Sequence, residues 1–323
     1  MAKETVLVTG AAGFVGSRLS MRLLQQGYRV LGLDNLNAYY SLDLKMLHLR
    51  DLRDTPGFSF REVDLRDAAL VSQVFEENKI DAVAHLAAMA AVRYSAKYPL
   101  LYGQVNVQGT ANLLDAARQT GKPRCILAST GSVYGSDTPV PFKESAAADR
   151  PLAPYPASKR AMELFAHSFC HLYEMDITVL RFFNVYGPHG RPDMMPWKWT
   201  QQILAGEPLT LYNAGHIKRD WTFIDDLLDG FVAALNKPQG FEIYNLGCSR
   251  PVENLEFVAT LSQLIGKEAK IVDTPTPRSE PLITYADISK AREAFGYEPK
   301  VSVGEGLRRF VEWLRKESLV DGL

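Results

Sequence analysis

Several features that mark specialised proteins are missing from this sequence. Its three cysteines, Cys125, Cys170 and Cys248, are odd in number and far apart. They match neither a metal-ligand spacing nor a disulfide framework, so a reducing compartment is expected. Neither sign of charge is in excess, with 36 Lys and Arg against 37 Asp and Glu and a formal net charge of -1. Without a basic tract or an acidic tail, nothing points to nucleic acid as a partner. Long apolar runs are lacking too, and the first residues lead directly into Thr5-Val6-Leu7-Val8-Thr9-Gly10, a strand entering a turn. Neither a signal peptide nor a membrane anchor is expected, and the location expected is cytoplasmic. Internal repeats and low-complexity stretches are equally lacking. What remains is an ordinary globular composition, 46% hydrophobic and 23% charged, on 323 residues. That length suits about two domains.

The richest segment is Gly10-Ala11-Ala12-Gly13-Phe14-Val15-Gly16. It follows an apolar strand and leads into a segment of helical periodicity carrying Leu19, Leu23 and Leu24. A second strand, Tyr28 to Leu33, then ends at Asp34. Glycines at such a turn let the backbone approach a pyrophosphate, which rests on the helix N-terminus. An acid about twenty positions further on reaches an adenosine ribose. The spacing G-x-x-G-x-x-G varies the usual fingerprint, but strand, helix, strand and acid are all in place. Asp34 would repel a 2′-phosphate, so the cofactor expected is NAD rather than NADP.

Strand–helix alternation continues. Phe58 to Val63 reads as a strand ending at Asp64-Leu65, where a side chain meets the adenine, and Ala68 to Asn78 as a helix. Ile80 to Leu86 reads as a strand running into Leu86-Ala87-Ala88, residues small enough for close cofactor approach. His85 there reads as structural rather than catalytic. Arg93 falls in a loop, and Pro99 opens a long helix that carries Asn106 and ends near Gly121. This pattern predicts an α/β fold, a Rossmann-type doubly wound parallel sheet, with ligands at the carboxyl ends of the strands. Thr130, after the buried strand Cys125 to Ala128, falls at such an end.

Tyr155-Pro156-Ala157-Ser158-Lys159 supplies the reactive pair. A tyrosine and a lysine one helical turn apart share a face, and the cation is expected to lower the phenol's pKa towards a general base's range. Thr130 offers a hydroxyl to the same substrate oxygen. Further along that helix Met162, Phe165, Phe169 and Leu172 read mainly as core packing, with a second subunit as the other use of the stripe. The first domain boundary is placed after Phe183, where loop formers begin. In the remainder, helices are expected over 196–205, 225–235, 253–265 and 303–317 and strands over 209–213 and 242–247, the last able to return to the main sheet.

These motifs, with Ser129-Thr130-Gly131-Ser132-Val133-Tyr134-Gly135 and Lys218-Arg219-Asp220-Trp221-Thr222-Phe223-Ile224-Asp225-Asp226, resemble the extended short-chain dehydrogenase/reductase family, in particular its nucleotide-sugar epimerases. Within it, Gly187-Pro188-His189-Gly190-Arg191-Pro192-Asp193-Met194 and Asn37-Ala38-Tyr39-Tyr40 look most like UDP-glucuronate 4-epimerases. The resemblance implies a smaller α/β C-terminal substrate domain, with 1–183 plus about 220–247 binding NAD and 184–219 plus 248–323 binding the nucleotide sugar. It implies cofactor contacts from Gly10, Ala12, Gly13, Phe14, Val15 and Gly16, then Asp34, Asn35, Asp64 and Leu65, then Leu86, Ala87, Ala88, Tyr155, Lys159 and Phe182. Tyr155, Lys159 and Thr130 would carry the catalysis. Arg219 would grip the diphosphate, Thr130, Ser132, Asn184 and Tyr212 would lie near the sugar nucleotide, and Arg191 with Arg93 would face a carboxylate. A homodimer through the helices near 100–120 and 155–173 is implied as well.

One absence narrows the substrate and two departures qualify it. Ser132 stands where related decarboxylases carry glutamate, and Gly131-Ser132 where dehydratases carry Asp-Glu, which argues against both. Asn184 is the residue of UDP-glucose epimerases and decarboxylases rather than of uronate epimerases. Pro277-Arg278-Ser279-Glu280-Pro281 replaces a Gln-Pro-Gly-Asp loop, so that Arg278 is a candidate for a second diphosphate contact. A neutral UDP-hexose 4-epimerase and a UDP-glucuronate decarboxylase are the enzyme alternatives. A regulatory NAD-binding protein without activity is the alternative outside catalysis, and intact Thr130, Tyr155 and Lys159 weigh against it.

Overall fold

A computed structural model describes residues 4–323 except 238, 279 and 321. Its first half alternates strand and helix: β1 (Thr5–Thr9), α1 (Phe14–Gln25), β2 (Arg29–Asp34), α2 (Leu42–Arg53), β3 (Phe58–Glu62), α3 (Ala68–Glu77) and β4 (Ala82–His85). There follow α4 (Val92–Lys97), α5 (Pro99–Tyr102), a π-helical turn over Gly103–Gln108, α6 (Gly109–Gln119), β5 (Arg124–Thr130), α7 (Pro154–Tyr173) and β6 (Ile177–Phe182). Shorter pieces come next: β7 (Val185–Tyr186), α8 (Met195–Ala205), β8 (Pro208–Tyr212), β9 (Lys218–Arg219), β10 (Thr222–Phe223), α9 (Ile224–Leu235) and β11 (Phe241–Leu246). The chain ends through β12 (Val252–Glu253), α10 (Asn254–Ile265), β13 (Lys270–Thr274), β14 (Ile283–Thr284), α11 (Ser289–Phe295) and α12 (Val303–Lys316).

Seven parallel strands form the main sheet in the order β11-β6-β5-β4-β1-β2-β3. Parallel neighbours need crossovers that cover both faces, which is why these strands are nearly continuous apolar runs. In β1, Val6 and Val8 pack into one buried cluster with Ala84 and Leu180. Leu7 points the other way, into a second with Val83, Leu127 and Met162. The strand order reverses between β1 and β4, and a crevice opens at the carboxyl ends there. β11 returns to the sheet beside β6, pairing Phe241 with Ile177 through to Leu246 with Phe182.

The later elements form three small sheets, β10-β7, β12-β9-β14 and β13-β8, and Thr284 of β14 lines the crevice. Buried acids anchor the loops between these elements. Asp220 accepts backbone N–H groups from Ser249 and Ala286 at 3.0 Å and from Cys248, and Asp226 accepts those of Lys300 and Val301 at 3.0 Å. Satisfying so many amide donors on one carboxylate fixes loops that would otherwise bury unpaired backbone.

Three expectations are corrected here. Arg93 lies in α4 rather than in a loop. The helix from Pro99 is interrupted by the π-helical turn that contains Asn106. The stripe on α7 is not all core: Met162 is fully buried, but Phe165 is 42% and Leu172 66% exposed. That stripe straddles the edge between the sheet-facing side of the helix and its outer side, so periodicity alone merged two surfaces.

Candidate active site

The Gly-rich turn is built by close backbone contacts. Gly10 has φ +72°, a left-handed value that favours glycine, and its N–H donates to the Leu33 carbonyl at 2.7 Å. A Cβ on Gly16 would lie 2.0 Å from the Gly10 carbonyl oxygen, so α1 can start here only on a glycine. The Asp34 carboxylate accepts the Ala12 N–H at 3.2 Å and the Leu36 N–H at 2.9 Å, with the Lys45 ammonium 3.3 Å away. β2 therefore delivers its terminal acid directly beside the turn. Ala12 itself is buried and does not line the cleft, so its part is the backbone donor to Asp34 rather than a direct cofactor contact.

A cleft of about 400 Å³ runs from this turn across the carboxyl ends of the strands. Gly10, Gly13, Phe14, Val15, Gly16, Asp34, Asn35, Asp64 and Leu65 line one end, and Leu86, Ala87 and Ala88 its floor. Asp64 is fixed by Asn35 at 2.9 Å and Arg66 at 2.7 Å, and the Arg66 hydrogen bonds hold its carboxyl well below the usual range. Thr130, Ser132, Tyr155, Lys159, Phe182, Asn184 and Arg191 line the other end. The donor set fits NAD: a glycine cradle with no room for a side chain, an acid at the end of β2, and a wall of small residues. His85, below the floor, is fully buried between the hydroxyls of Thr9 at 2.8 Å and Thr110 at 2.9 Å, a structural role.

At the reactive end, Lys159 Nζ donates to the Ala128 carbonyl oxygen at 2.8 Å. Burial pushes its pKa down to about 8, with the Glu163 charge opposing. Burial pushes the Tyr155 phenol up; the Thr130 hydroxyl and the Arg191 charge pull it back. The sequence-based expectation of a lowered phenol pKa is not met here, because burial outweighs the groups that pull it down. Lys159 is turned onto the β5 backbone, and the groups that ease ionisation of Tyr155 are Thr130 and Arg191.

Asn106 was legible only as a residue of a helix, yet it organises this end. Its amide accepts the Met89 N–H at 2.9 Å and donates at 2.9 Å to the Met89 carbonyl and to Ser158 Oγ. Ser158 Oγ in turn donates to the Tyr155 carbonyl at 2.7 Å. The π-helical turn aims Asn106 at both the cleft floor and α7. Such turns recur at functional sites, but nothing in local composition announces one.

The remaining candidates divide. Arg191 places Nε and Nη2 on the two oxygens of Asp193 at 2.8 and 2.9 Å, and Tyr39 donates to the same carboxylate at 3.1 Å. Arg93, Tyr212 and Arg219 do not line the cleft but form a cluster of their own. Arg219 donates to Glu280 at 2.9 Å, Arg93 to its other oxygen at 3.4 Å, and the Arg93 guanidinium lies 5.1 Å from the Tyr212 ring centre. Arg278 is exposed, and the residue of its loop that meets the two arginines is Glu280.

A Rossmann-type sheet with this turn, acid and Tyr–Lys pair defines an NAD-dependent enzyme of the dehydrogenase–epimerase type. Residues 6–247 match the model of the NAD dependent epimerase/dehydratase family, and the chain belongs to that family. It is 42% identical over 311 residues to a UDP-glucuronate 4-epimerase of Thermodesulfobacterium geofontis, covering 96% of each chain. Among solved structures it resembles the UDP-glucuronic acid 4-epimerase of Bacillus cereus in complex with UDP-glucuronic acid and NAD, at 34% identity and a TM-score of 0.91, covering 97% of this chain and 99% of that one. It also resembles the UDP-glucose 4-epimerase of Thermotoga maritima with UDP-glucose, at 30% identity and a TM-score of 0.89, covering 97% and 99%.

Proposed function

We propose that the chain is an NAD-dependent 4-epimerase that interconverts UDP-glucuronate and UDP-galacturonate through a transient 4-keto sugar. One observation carries the choice of substrate: Arg191 lines the same cleft as Thr130, Tyr155 and Lys159, and its charge acts on Tyr155. A uronic acid brings its carboxylate close to carbon 4, and an arginine lining the same cleft receives it. NAD supplies the hydride acceptor and donor at that carbon.

The residues of the chain do the rest. Tyr155 takes the proton of the 4-hydroxyl and gives it back on the other face of the sugar. Thr130 hydrogen-bonds the reacting oxygen and, with the Arg191 charge, eases ionisation of Tyr155, and the Lys159 ammonium stabilises the developing phenolate when it turns from the Ala128 carbonyl towards Tyr155. Asp34 and the glycine turn hold the cofactor, while Arg219 and Arg93 meet the diphosphate once Glu280 yields. Oxidised at carbon 4, a uronate is a β-keto acid that loses carbon dioxide readily. Arg191 holds the carboxylate out of alignment with the ketone by a charge-assisted pair. Ser132 leaves out the acid a decarboxylase would use.

Residues 1–183 with about 220–247 form the cofactor half in this reading, and 184–219 with 248–323 the sugar-nucleotide half. The enzyme is a cytoplasmic homodimer. A second reading rests on Asn184, which lines the cleft and favours a neutral UDP-hexose or decarboxylation. Incubating the purified protein with UDP-glucuronate and no added NAD separates the readings. UDP-galacturonate supports the proposal, a UDP-pentose the decarboxylase, turnover of UDP-glucose alone the hexose epimerase, and no turnover of any UDP-sugar a binding protein.

A further inference from the structure

α7 sets Tyr155, Lys159 and Glu163 in line, each one turn from the next. β5 meets them with consecutive residues. Thr130 lies beside Tyr155, the Ala128 carbonyl receives Lys159, and Ser129 Oγ, between those two, donates to Glu163 Oε1 at 2.6 Å. Glu163 is fully buried. From β6, Arg181 donates Nε and Nη2 to its two oxygens at 2.9 and 2.7 Å, and Arg160 adds a third donor at 2.9 Å. A buried carboxylate is costly unless paired in this way, and the proton transfers assigned to Tyr155 do not use it.

We propose that Glu163 is a positioning residue for the reaction: clamped by Ser129 and Arg181, it seats α7 on β5 and β6 and supplies the negative charge that keeps Lys159 protonated. The other charged or titratable groups around Lys159 cannot do so. Arg160 on α7, Arg181 on β6 and Arg191 at the cleft are cations. His85 on β4 is held neutral, pushed down to about 3 by burial and by Lys159 itself. Tyr134 lies under the Arg181 guanidinium, 4.7 Å away, and burial keeps its phenol neutral, pushed up to about 12. Tyr155 is the group that Lys159 serves. Glu163 is the anion of the set, and its charge opposes the downward push of burial on Lys159.

The inference rests on the reading of Lys159 as a cation in turnover, and one set of pH profiles tests both separately. In the native enzyme, activity should fall on the alkaline side as Lys159 deprotonates; a flat profile there rejects the reading of Lys159. Glu163→Gln strands Arg181 without a counter-ion and risks failing to fold. The decisive variant is therefore Glu163→Gln with Arg181→Met, which removes both charges of the pair and strands neither. Its alkaline limb of kcat should lie roughly half a pH unit lower, less than the unit or more expected for removing a nearby opposite charge alone, because the Arg181 cation leaves with it, with KM and bound NAD unchanged. Arg181→Met alone should move the limb the other way, because the Glu163 charge is then less compensated. A purely structural Glu163 would lower kcat with the limb in place. A folded double variant with the native limb overturns the proposal.

Discussion

Arg191 closes a two-point fork on Asp193, with Nε and Nη2 at 2.8 and 2.9 Å from the carboxylate oxygens. The fork fixes the guanidinium where it lines the cleft and leaves Nη1 outside the pair. Arg191→Ala should therefore raise KM for UDP-glucuronate strongly, by the roughly 2–5 kcal/mol that truncating one partner of a buried charge pair costs. KM for UDP-glucose should hardly change, and a UDP-pentose should appear among the products. Product analysis on both sugars checks this; a variant that epimerises UDP-glucuronate normally and makes no pentose would remove Arg191 from the carboxylate.

Lys159 gives a pH prediction in which activity and stability part company. Its pKa in the fold is near 8, below the ordinary lysine value of 10.5. Between those two pH values the unfolded chain binds more protons than the folded one, so this group adds stability as pH rises through that window. The same rise removes the ammonium that turnover needs. Activity should decline above about pH 8 while the melting temperature gains a contribution from this site. Lys159→Met should accordingly abolish turnover yet melt no lower than the native protein, as thermal denaturation across pH can test.

Glu280 binds two arginines from separate parts of the chain, Arg219 at 2.9 Å and Arg93 at 3.4 Å. A diphosphate arriving at Arg219 competes with that carboxylate. Glu280→Gln should tighten UDP binding by roughly three-fold, a modest figure because Arg93 is largely exposed and its pair is screened. Titration calorimetry with UDP at low and high salt measures it, and weaker binding in the variant would mean that Glu280 positions the arginines instead of occupying them.

How far the sequence carried this reading depends on whether a function sits in local chain geometry. Gly10, Gly16 and Asp34 were legible because a strand, a tight turn and a helix start impose residue types at fixed spacings. Tyr155 and Lys159 were legible because a single helical turn joins them. Asn106, Glu163 and Glu280 were not, since each acts through partners distant in the chain: Met89 and Ser158, Ser129 and Arg181, Arg93 and Arg219. The motif Lys218 to Asp226 marked the family, but its acids Asp220 and Asp226 serve as backbone anchors. A motif can thus identify a fold while acids within it serve to hold loops.

The outer side of α7 leads to the last prediction. Leu164, Phe165 and Leu172 are 55%, 42% and 66% exposed there, and Leu100, on α5, is 81% exposed. Large apolar side chains so exposed on neighbouring helices favour association with another apolar surface. A two-fold partner presenting the same helices would cover them with a self-complementary face. Leu172→Glu should then shift the protein from dimer to monomer in sedimentation velocity. The same helix carries Tyr155 and Lys159 on its sheet side, so losing the partner should loosen their seating and lower kcat more than it raises KM. If Leu172→Glu sediments like the native protein, this face is not the interface.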